Sequence, residues 1–91
     1  MNVEFDSAKE ALNRRKHGVS LKRAARFDFD SCLYIVDDSQ DYGEVRLIAI
    51  GFLASTLYTL VFSPRGEDAI RAISLRKSST SERNRYAEEE W

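Results

Sequence analysis

The chain has 91 residues, of which 43% are hydrophobic and 32% charged, and its formal net charge is −1. That balance is too apolar for a disordered chain, and the length predicts one domain over residues 1–91. No apolar run reaches the roughly 18 residues of a membrane-spanning helix, and the first residues lack the pattern of a secretion signal, so we expect a cytoplasmic protein. One Cys and one His give no metal site of recognisable spacing.

The net charge hides two opposed blocks. Residues 9–26 carry seven basic side chains against the single acid Glu10, whereas residues 28–44 carry six acidic side chains and no basic one. A near-neutral total argues against indiscriminate nucleic-acid binding, but opposed blocks can still form a local positive groove. The basic block, which includes Lys16, could follow an RNA backbone, meet an acidic segment of a partner, or be a solvated helix face.

The N-terminal third predicts a short strand followed by two helices. Residues 3–5 form the strand, and Ser7 with Glu10 makes a capping box that opens the first helix. Gly18 ends this helix, and Ser20 caps a second, short one. The first helix is expected to pack through side chains with helical spacing, which are Ala8, Ala11, Leu12 and Arg15. The second is expected to pack through Leu21, Ala24, Ala25 and Phe29.

The middle of the chain predicts three strands. Residues 32–36 form the first, and a polar, acidic turn over residues 37–43 follows it. Residues 45–53 and 56–62 are rich in branched and aromatic side chains, so they predict two paired strands. Only residues 54–55 join them, which is the length of a tight hairpin turn, although neither is the glycine that such turns favour.

The C-terminal part predicts a turn, a strand and a helix. Pro64 and Gly66 bound the turn, and the strand covers residues 69–76. A second capping box, Ser79 with Glu82, starts the final helix. That helix carries Tyr86 and ends in Glu88, Glu89, Glu90 and Trp91. The element order predicts an α+β fold in which N-terminal helices pack on an antiparallel sheet of about four strands, with a C-terminal helix.

Four basic side chains surround the last predicted strand: Arg65, Arg71, Arg76 and Lys77. Arginine presents a planar fork of donors that matches two phosphate oxygens, so this grouping suggests binding or cleavage of a phosphodiester, with ion pairing as the alternative. Ser74 and Arg76 share strand parity and are expected to face one cleft, where Arg76 holds phosphate. Arg71 has the opposite parity and is expected, unless a bulge intervenes, to form a structural pair with an acid.

Three further side chains could take part in the chemistry. His17 is the only imidazole of the chain, and imidazole exchanges protons near neutral pH, but a position just before Gly18 also suits helix capping. Glu44 would serve as a base if its pKa were raised, and an ion pair with Arg46 is the simpler account. Tyr86 could stack on a base or donate to phosphate, or it could be a core residue of the last helix.

The chain carries a set of short pieces in a particular order and spacing: Phe5-Asp6, Lys9, Asn13, Lys16-His17-Gly18-Val19-Ser20, Ala24-Ala25, Asp41-Tyr42-Gly43-Glu44, Arg46, Gly51, Arg65, the segment 70–77, Glu82-Arg83 and Tyr86. Together they resemble a known family, the BrnT type II toxins, small ribonucleases whose fold is similar to that of RelE. The similarity covers most of the chain and departs at three packing positions, Leu21, Ala72 and Leu75.

The resemblance implies RNA cleavage that arrests growth, and neutralisation by a cognate BrnA antitoxin with a ribbon-helix-helix DNA-binding domain, in an assembly with two copies of each chain. RNA supplies its own nucleophile, so metal-independent cleavage needs only positioning, positive charge and one or two titrating groups, and no cofactor is expected. The candidate catalytic residues are Arg65, Arg76, His17 and Glu44. The candidate RNA or phosphate contacts are Lys77, Ser74, Arg71, Tyr86 and Lys16.

Two other functions stay open at this point. The same scaffold could be a non-catalytic module that binds RNA or protein, or a regulatory subunit that holds an antitoxin-like chain on DNA. Replacement of Arg65 and Arg76 by Ala would separate these alternatives, because an enzyme would lose activity while it stayed folded and bound to its partner.

Overall fold

The computed structural model describes residues 1–89, which contain five strands, two α-helices and a 3₁₀ helix. In chain order the elements are β1 (Asn2–Glu4), α1 (Ser7–His17), the 3₁₀ helix (Leu21–Arg26), β2 (Leu33–Val36), β3 (Leu47–Leu53), β4 (Thr56–Pro64), β5 (Ala69–Lys77) and α2 (Thr80–Glu89). Glu90 and Trp91, predicted as the end of the final helix, lie outside the described residues. Within residues 1–89, neither helix has the length and apolar character needed to cross a membrane.

The strands form one sheet in the order β1-β5-β4-β3-β2, so the predicted α+β class is confirmed. In the described part of the chain the sheet has five strands rather than about four. It is mixed rather than antiparallel, because β1 runs parallel to its neighbour β5. The sequence predicted this strand at residues 3–5. It did not predict the partner or the direction of the strand, because three residues carry too little pattern.

One face of the sheet carries the hydrophobic core. Side chains of β3, β4 and β5 pack there against the 3₁₀ helix and the residues around it. The most deeply buried members are Leu21, Ala24, Ala49, Leu53, Leu60, Ala72 and Leu75. The opposite face is met at one end by α2, none of whose described residues is fully buried.

Strand β5 contains a bulge that decides which way its basic side chains point. The register between β4 and β5 shifts at Val61 and Phe62, which leaves Ile73 as an extra residue of β5. The extra residue reverses the alternation of side chains, so that three polar residues share the face opposite the core: Arg71, Ser74 and Arg76. The prediction that Arg71 has the opposite parity from the other two is wrong, because the bulge intervenes.

Helix α1 begins one residue earlier than the capping box predicted. Asp6 is the N-cap, and its carboxylate accepts a backbone N–H of the first turn at 3.2 Å. Ser7 is already helical, and the carboxylate of Glu10 accepts the hydroxyl of Ser20 and the backbone N–H of Leu21, the latter at 2.8 Å. Glu10 thus ties α1 to the start of the 3₁₀ helix instead of closing a capping box.

Helix α1 meets the sheet through one polar side chain. The residues predicted to form its packing face are exposed, and Asn13 is its buried residue. The Asn13 amide nitrogen donates to the carbonyls of Val19 and Leu75, both at 2.9 Å, and its oxygen accepts the Leu75 N–H at 3.0 Å. Strand β1 ends at Glu4, opposite Arg71 of β5. The Asn13 amide pairs with the part of the β5 edge that lies beyond this point, so α1 lies along the edge of the sheet.

The predicted second helix is a 3₁₀ helix, capped as expected by Ser20, whose hydroxyl accepts a backbone N–H at 3.1 Å. A 3₁₀ helix has three residues per turn, which brings Leu21, Ala24 and Phe27 onto one buried line. Ala25 is exposed, because the α-helical spacing that placed it on the packing face does not apply.

The predicted tight turns are confirmed. Leu53 pairs with Thr56 across a two-residue turn, in which Ala54 adopts a left-handed φ of 57° without the aid of a glycine. Gly18 ends α1 with φ 70°, and its N–H donates to the Arg14 carbonyl at 2.9 Å.

The first test concerns the amide that joins α1 to β5. We expect Asn13→Ala to lower the free energy of unfolding by about 2–4 kcal/mol, because it leaves buried backbone groups of Val19 and Leu75 without partners. Urea unfolding measures the change. The matched control is Leu12→Ala, which truncates the exposed neighbour on the same helix and should cost less than about 1 kcal/mol. Equal losses in the two variants would contradict the role assigned to Asn13.

Candidate functional site

The carboxylate of Glu44 lies among three arginines. Its Oε2 accepts hydrogen bonds from Arg46 Nε at 3.3 Å and from the guanidinium of Arg71, and its Oε1 lies 3.5 Å from Arg65 Nη2. We call these four residues the arginine centre. The Glu44 side chain is 20% exposed and that of Arg65 is 41% exposed, so the carboxylate is mostly covered while the outermost guanidinium reaches solvent.

Separate segments of the chain supply the arginine centre. Glu44 and Arg46 belong to the loop that leads into β3, Arg65 to the turn between β4 and β5, and Arg71 to β5. The Arg65 N–H donates to the Ala69 carbonyl at 2.9 Å, which closes the predicted turn. Because the bulge in β5 turns Arg71 to the face opposite the core, all three guanidinium groups reach one carboxylate.

The arginine centre has a surplus of positive charge. Desolvation opposes the ionisation of Glu44, but the hydrogen bond from Arg46 and the charges of Arg71, Arg46 and Arg65 outweigh it and lower the pKa of Glu44. Glu44 is therefore ionised at neutral pH and offsets only one of the three guanidinium charges. The raised pKa that would make Glu44 a base is absent, and the ion pair with Arg46 that the sequence suggested is present.

A groove leads from the arginine centre along the boundary between α1 and the edge of β5. It consists of two depressions, of about 140 and 180 Å³, which share the side chains of Lys9 and Ile73. The first depression is lined by Asp6, Lys9, Arg46, Arg71, Ala72 and Ile73. The second is lined by Lys9, Leu12, Asn13, Lys16, His17, Ile73 and Ser74. We call the two together the edge groove.

The arginine centre and the edge groove bring together six of the residues that the sequence singled out: Arg65, Arg71, Glu44, His17, Lys16 and Ser74. They also contain two basic side chains that the sequence analysis did not name as site residues, Lys9 and Arg46. Lys9 lies four residues before Asn13, on the same side of α1, so helical spacing would have found it once Asn13 was known to contact the sheet. Arg46 had been considered only as the partner of Glu44.

Arg76 lies on the same face of β5 but is paired with α2. Its two terminal nitrogens donate to the two carboxylate oxygens of Glu82 at 2.7 and 2.8 Å. The hydrogen bond from Arg76 lowers the pKa of Glu82 to about 2, and the same bond raises the pKa of Arg76. Glu82 also accepts the Ser79 N–H at 2.8 Å, which confirms the second capping box. This bidentate ion pair holds α2 on the sheet, and Arg76 lines neither depression of the edge groove.

Two other candidates lie outside the edge groove. Lys77 is exposed at the end of β5, and its pairing with Tyr58 places its side chain on the core side of the sheet. Tyr86 packs edge-on against Phe52 with ring centroids 5.7 Å apart, and its hydroxyl donates to the Ser31 carbonyl at 3.0 Å. The ring and the hydroxyl of Tyr86 thus both have partners within the fold. Among residues 1–89, no group of three or more His, Cys, Asp or Glu is placed to hold a metal ion.

Comparisons with known proteins show which family and which fold the chain is similar to. A family model described as "Ribonuclease toxin, BrnT, of type II toxin-antitoxin system" matches residues 5–82. The chain is similar to the Brucella abortus ribonuclease toxin BrnT, known from a 1.1 Å crystal structure, with a TM-score of 0.67 and 26% sequence identity. That similarity covers 88% of this chain and 99% of the other. No curated protein sequence matches the chain.

The second test concerns the bidentate ion pair between Arg76 and Glu82. The pKa of Glu82 is lower in the folded chain than its ordinary value of 4.5, so its contribution to stability is complete above that pH and is lost as the pH falls toward about 2. We expect Glu82→Gln to cost about 1–2 kcal/mol at neutral pH, after allowance for solvent screening, and to cost progressively less below about pH 4.5. Unfolding by urea at several pH values measures this, with Glu88→Gln on the exposed side of α2 as control. A constant difference between Glu82→Gln and the unmodified chain at every pH would contradict the assignment.

Proposed function

The chain belongs to the BrnT family of ribonuclease toxins of type II toxin-antitoxin systems, and we propose that it cleaves RNA in the edge groove, without a metal ion, while the arginine centre holds the scissile phosphate. One observation carries this proposal. The surplus positive charge around Glu44 lies at one end of a groove whose other end holds the only imidazole of the chain. Anion binding and proton transfer are the two things that RNA cleavage requires of a protein.

Arg65 and Arg71 are the residues to which we assign the phosphate. A guanidinium has five N–H donors, and the contacts with Glu44 use only part of them. The side chains are 41% and 34% exposed, so each can turn donors to a ligand without leaving Glu44. Arginine donors stabilise the charge that grows on the phosphoryl oxygens in the transition state, and the covered carboxylate keeps the two forks in place.

The chemistry uses the nucleophile that RNA carries. The 2′-oxygen attacks the adjacent phosphorus and forms a new P–O bond while the bond from phosphorus to the 5′-oxygen breaks. The products are a 2′,3′-cyclic phosphate and a 5′-hydroxyl, so one proton leaves the 2′-hydroxyl and one joins the departing oxygen. We assign one of these transfers to His17, which lines the edge groove, and this requires the bound RNA to bring the reacting oxygen within hydrogen-bond distance of the imidazole. Glu44, whose pKa is lowered, is a weak proton acceptor and acts by positioning the arginines.

The remaining groove residues suit neighbouring parts of the RNA strand. Lys9 and Lys16 are exposed cations along α1 and are placed to meet flanking phosphates, and Ser74 can donate to a phosphate or a 2′-hydroxyl. The proposal leaves out Arg76, Lys77 and Tyr86. None of these three side chains lines the edge groove. Arg76 and Tyr86 contact other parts of the fold, and Lys77 faces the core side of the sheet.

As a type II toxin, the protein has an antitoxin partner. We infer that this partner is a BrnA-like ribbon-helix-helix protein, that two copies of each chain assemble, and that the antitoxin binds operator DNA. An acidic segment of such a partner would compete with RNA for the basic edge groove and would inhibit cleavage by covering it. We also infer that both proteins act in the cytoplasm, where the RNA substrate is.

The third test is cleavage of end-labelled single-stranded RNA by the purified, antitoxin-free chain in excess EDTA. We expect cleavage that leaves 2′,3′-cyclic phosphate ends, and a loss of roughly 100- to 1000-fold in rate for Arg71→Ala, because one charged donor to the transition state is gone. Arg65→Ala should lose less, since its guanidinium is the most exposed of the three. Arg85→Ala, which removes an exposed arginine of α2, is the matched control and should cleave normally. Cleavage that stops in EDTA, or that survives in Arg71→Ala, would contradict the proposal.

The fourth test separates proton transfer from phosphate binding. We expect His17→Gln to slow cleavage by roughly 100-fold or more while it leaves the affinity for RNA nearly unchanged, because a proton carrier is lost but no charged phosphate contact. The rate is measured between about pH 5 and 8. The unmodified chain should show an inflection that the variant lacks. An identical pH profile for the two proteins would rule out His17 as the proton carrier.

A further inference from the structure

The loop between β2 and β3 holds the ring of Tyr42 against the guanidinium of Arg46. The Arg46 Cζ lies 3.9 Å from the centroid of the Tyr42 ring, a close cation–π contact. The Tyr42 hydroxyl donates to Asp37 Oδ2 at 3.2 Å and shares a hydrogen bond with Ser39 Oγ at 3.0 Å. Arg46 in turn donates to Glu44. A series of contacts therefore runs from Asp37 to the arginine centre.

We propose that Tyr42 is a positioning residue of the arginine centre, whose ring fixes the guanidinium of Arg46 and, through Arg46, the carboxylate of Glu44. The inference rests on the proposed function, in which Glu44 sets the places of Arg65 and Arg71. Tyr42 itself does not contact RNA in this role. The ring acts only by limiting the orientations of its arginine neighbour.

The local chain geometry supports this role. Gly43 adopts a left-handed φ of 70°, which turns the backbone between Tyr42 and Glu44 so that both side chains reach Arg46. Residues 37–46 have no regular secondary structure, and a long arginine side chain in such a loop would sample many rotamers. A tyrosine has only two side-chain torsions, and this one is held at both its ring and its hydroxyl, so it limits Arg46 at little entropic cost.

Core packing does not account for Tyr42. It is absent from the described hydrophobic cluster and from the partly buried side chains that pack against that cluster. Its neighbours in the contacts above are polar or charged. The hydrogen bonds that Ser39 donates through its side chain and backbone lower the pKa of Asp37, with smaller contributions from Tyr42 and Arg46, so Asp37 is an ionised acceptor for the Tyr42 hydroxyl. The aromatic ring of Tyr42 therefore serves to orient the guanidinium of Arg46.

The kinetic test compares substitutions that keep or remove the ring. We expect Tyr42→Leu to lower kcat by roughly 5- to 30-fold, the loss of one partly buried cation–π contact, and Tyr42→Phe, which keeps the ring, to recover most of that loss. In an Arg46→Met background, Tyr42→Leu should add almost nothing, since a residue that acts only through Arg46 has no effect without it. Tyr34→Leu makes the same change at an exposed tyrosine of β2 and is the control.

A second readout does not depend on activity. Because the hydrogen bond from Arg46 is the largest contribution that lowers the pKa of Glu44, release of Arg46 in Tyr42→Leu should raise that pKa, which 13C NMR of the carboxyl group measures. The other charges facing Glu44 are Arg65 and Arg71, and both stay in place in this variant. Tyr34→Leu should leave the pKa of Glu44 unchanged.

The outcomes separate the two proposals. Full cleavage by Tyr42→Leu, additive losses in the Arg46→Met background, or an unchanged pKa of Glu44 would each overturn the positioning role while RNA cleavage itself stands. If the unmodified chain does not cleave RNA, the proposed function fails, and the NMR titration still decides whether Tyr42 positions Arg46 and Glu44. Thermal unfolding of every variant separates a lost orientation from a lost fold.

Discussion

The side-chain amide of Asn13 is the contact on which the candidate site depends. Strand β1 covers only the first part of the β5 edge, and the backbone groups of Leu75 beyond it are buried and need partners. The amide supplies both a donor and an acceptor there, so α1 must lie along the sheet edge with Asn13 turned inward. Lys9 and Lys16, about one turn to either side, then line the groove. The hydrogen bonds between Asn13 and Leu75 thereby determine the positions of Lys9 and Lys16.

The bulge in β5 provides the second constraint, because it sets the face on which Arg71 lies. Without the extra residue, Arg71 would point into the apolar core, where an unpaired charge is costly. With it, Arg71 meets Glu44, and this carboxylate allows guanidinium groups from three segments to approach one another despite their repulsion. The Asn13 contact at the sheet edge and the bulge in β5 together place the arginine centre next to the groove that His17 lines.

Features that depend on near neighbours in the sequence were predictable, and features that depend on distant ones were not. The Ser20 cap, the Gly18 terminus and the capping box before α2 were predicted because each joins residues a few positions apart. The packing of Asn13 depends on a partner 62 residues away, and Glu10 leaves its expected cap for a partner 11 residues away. In the site, the pair of Glu44 with Arg46, two positions away, was predicted, whereas the contact of Glu44 with Arg71, 27 positions away, was not. The pair of Arg76 with Glu82 is an exception to the rule, because these residues are only six positions apart.

The near-neutral net charge is compatible with the proposed RNA-binding groove because most of the acidic block and the basic groove lie toward opposite edges of the sheet. Most of the acidic block flanks β2 at one edge, whereas the edge groove lies beyond β5 toward the other. The molecule extends 25 to 35 Å along its principal axes. At physiological ionic strength charges are screened over about 8 Å, so acidic side chains at the far edge act weakly on the groove. Asp37 is the exception, because it interacts with the charge of Arg46, which lines one end of the groove. For the proposed RNA substrate, such a charge distribution gives weak long-range attraction and stronger attraction on contact, which favours a strand that fits the groove over one that lies nearby.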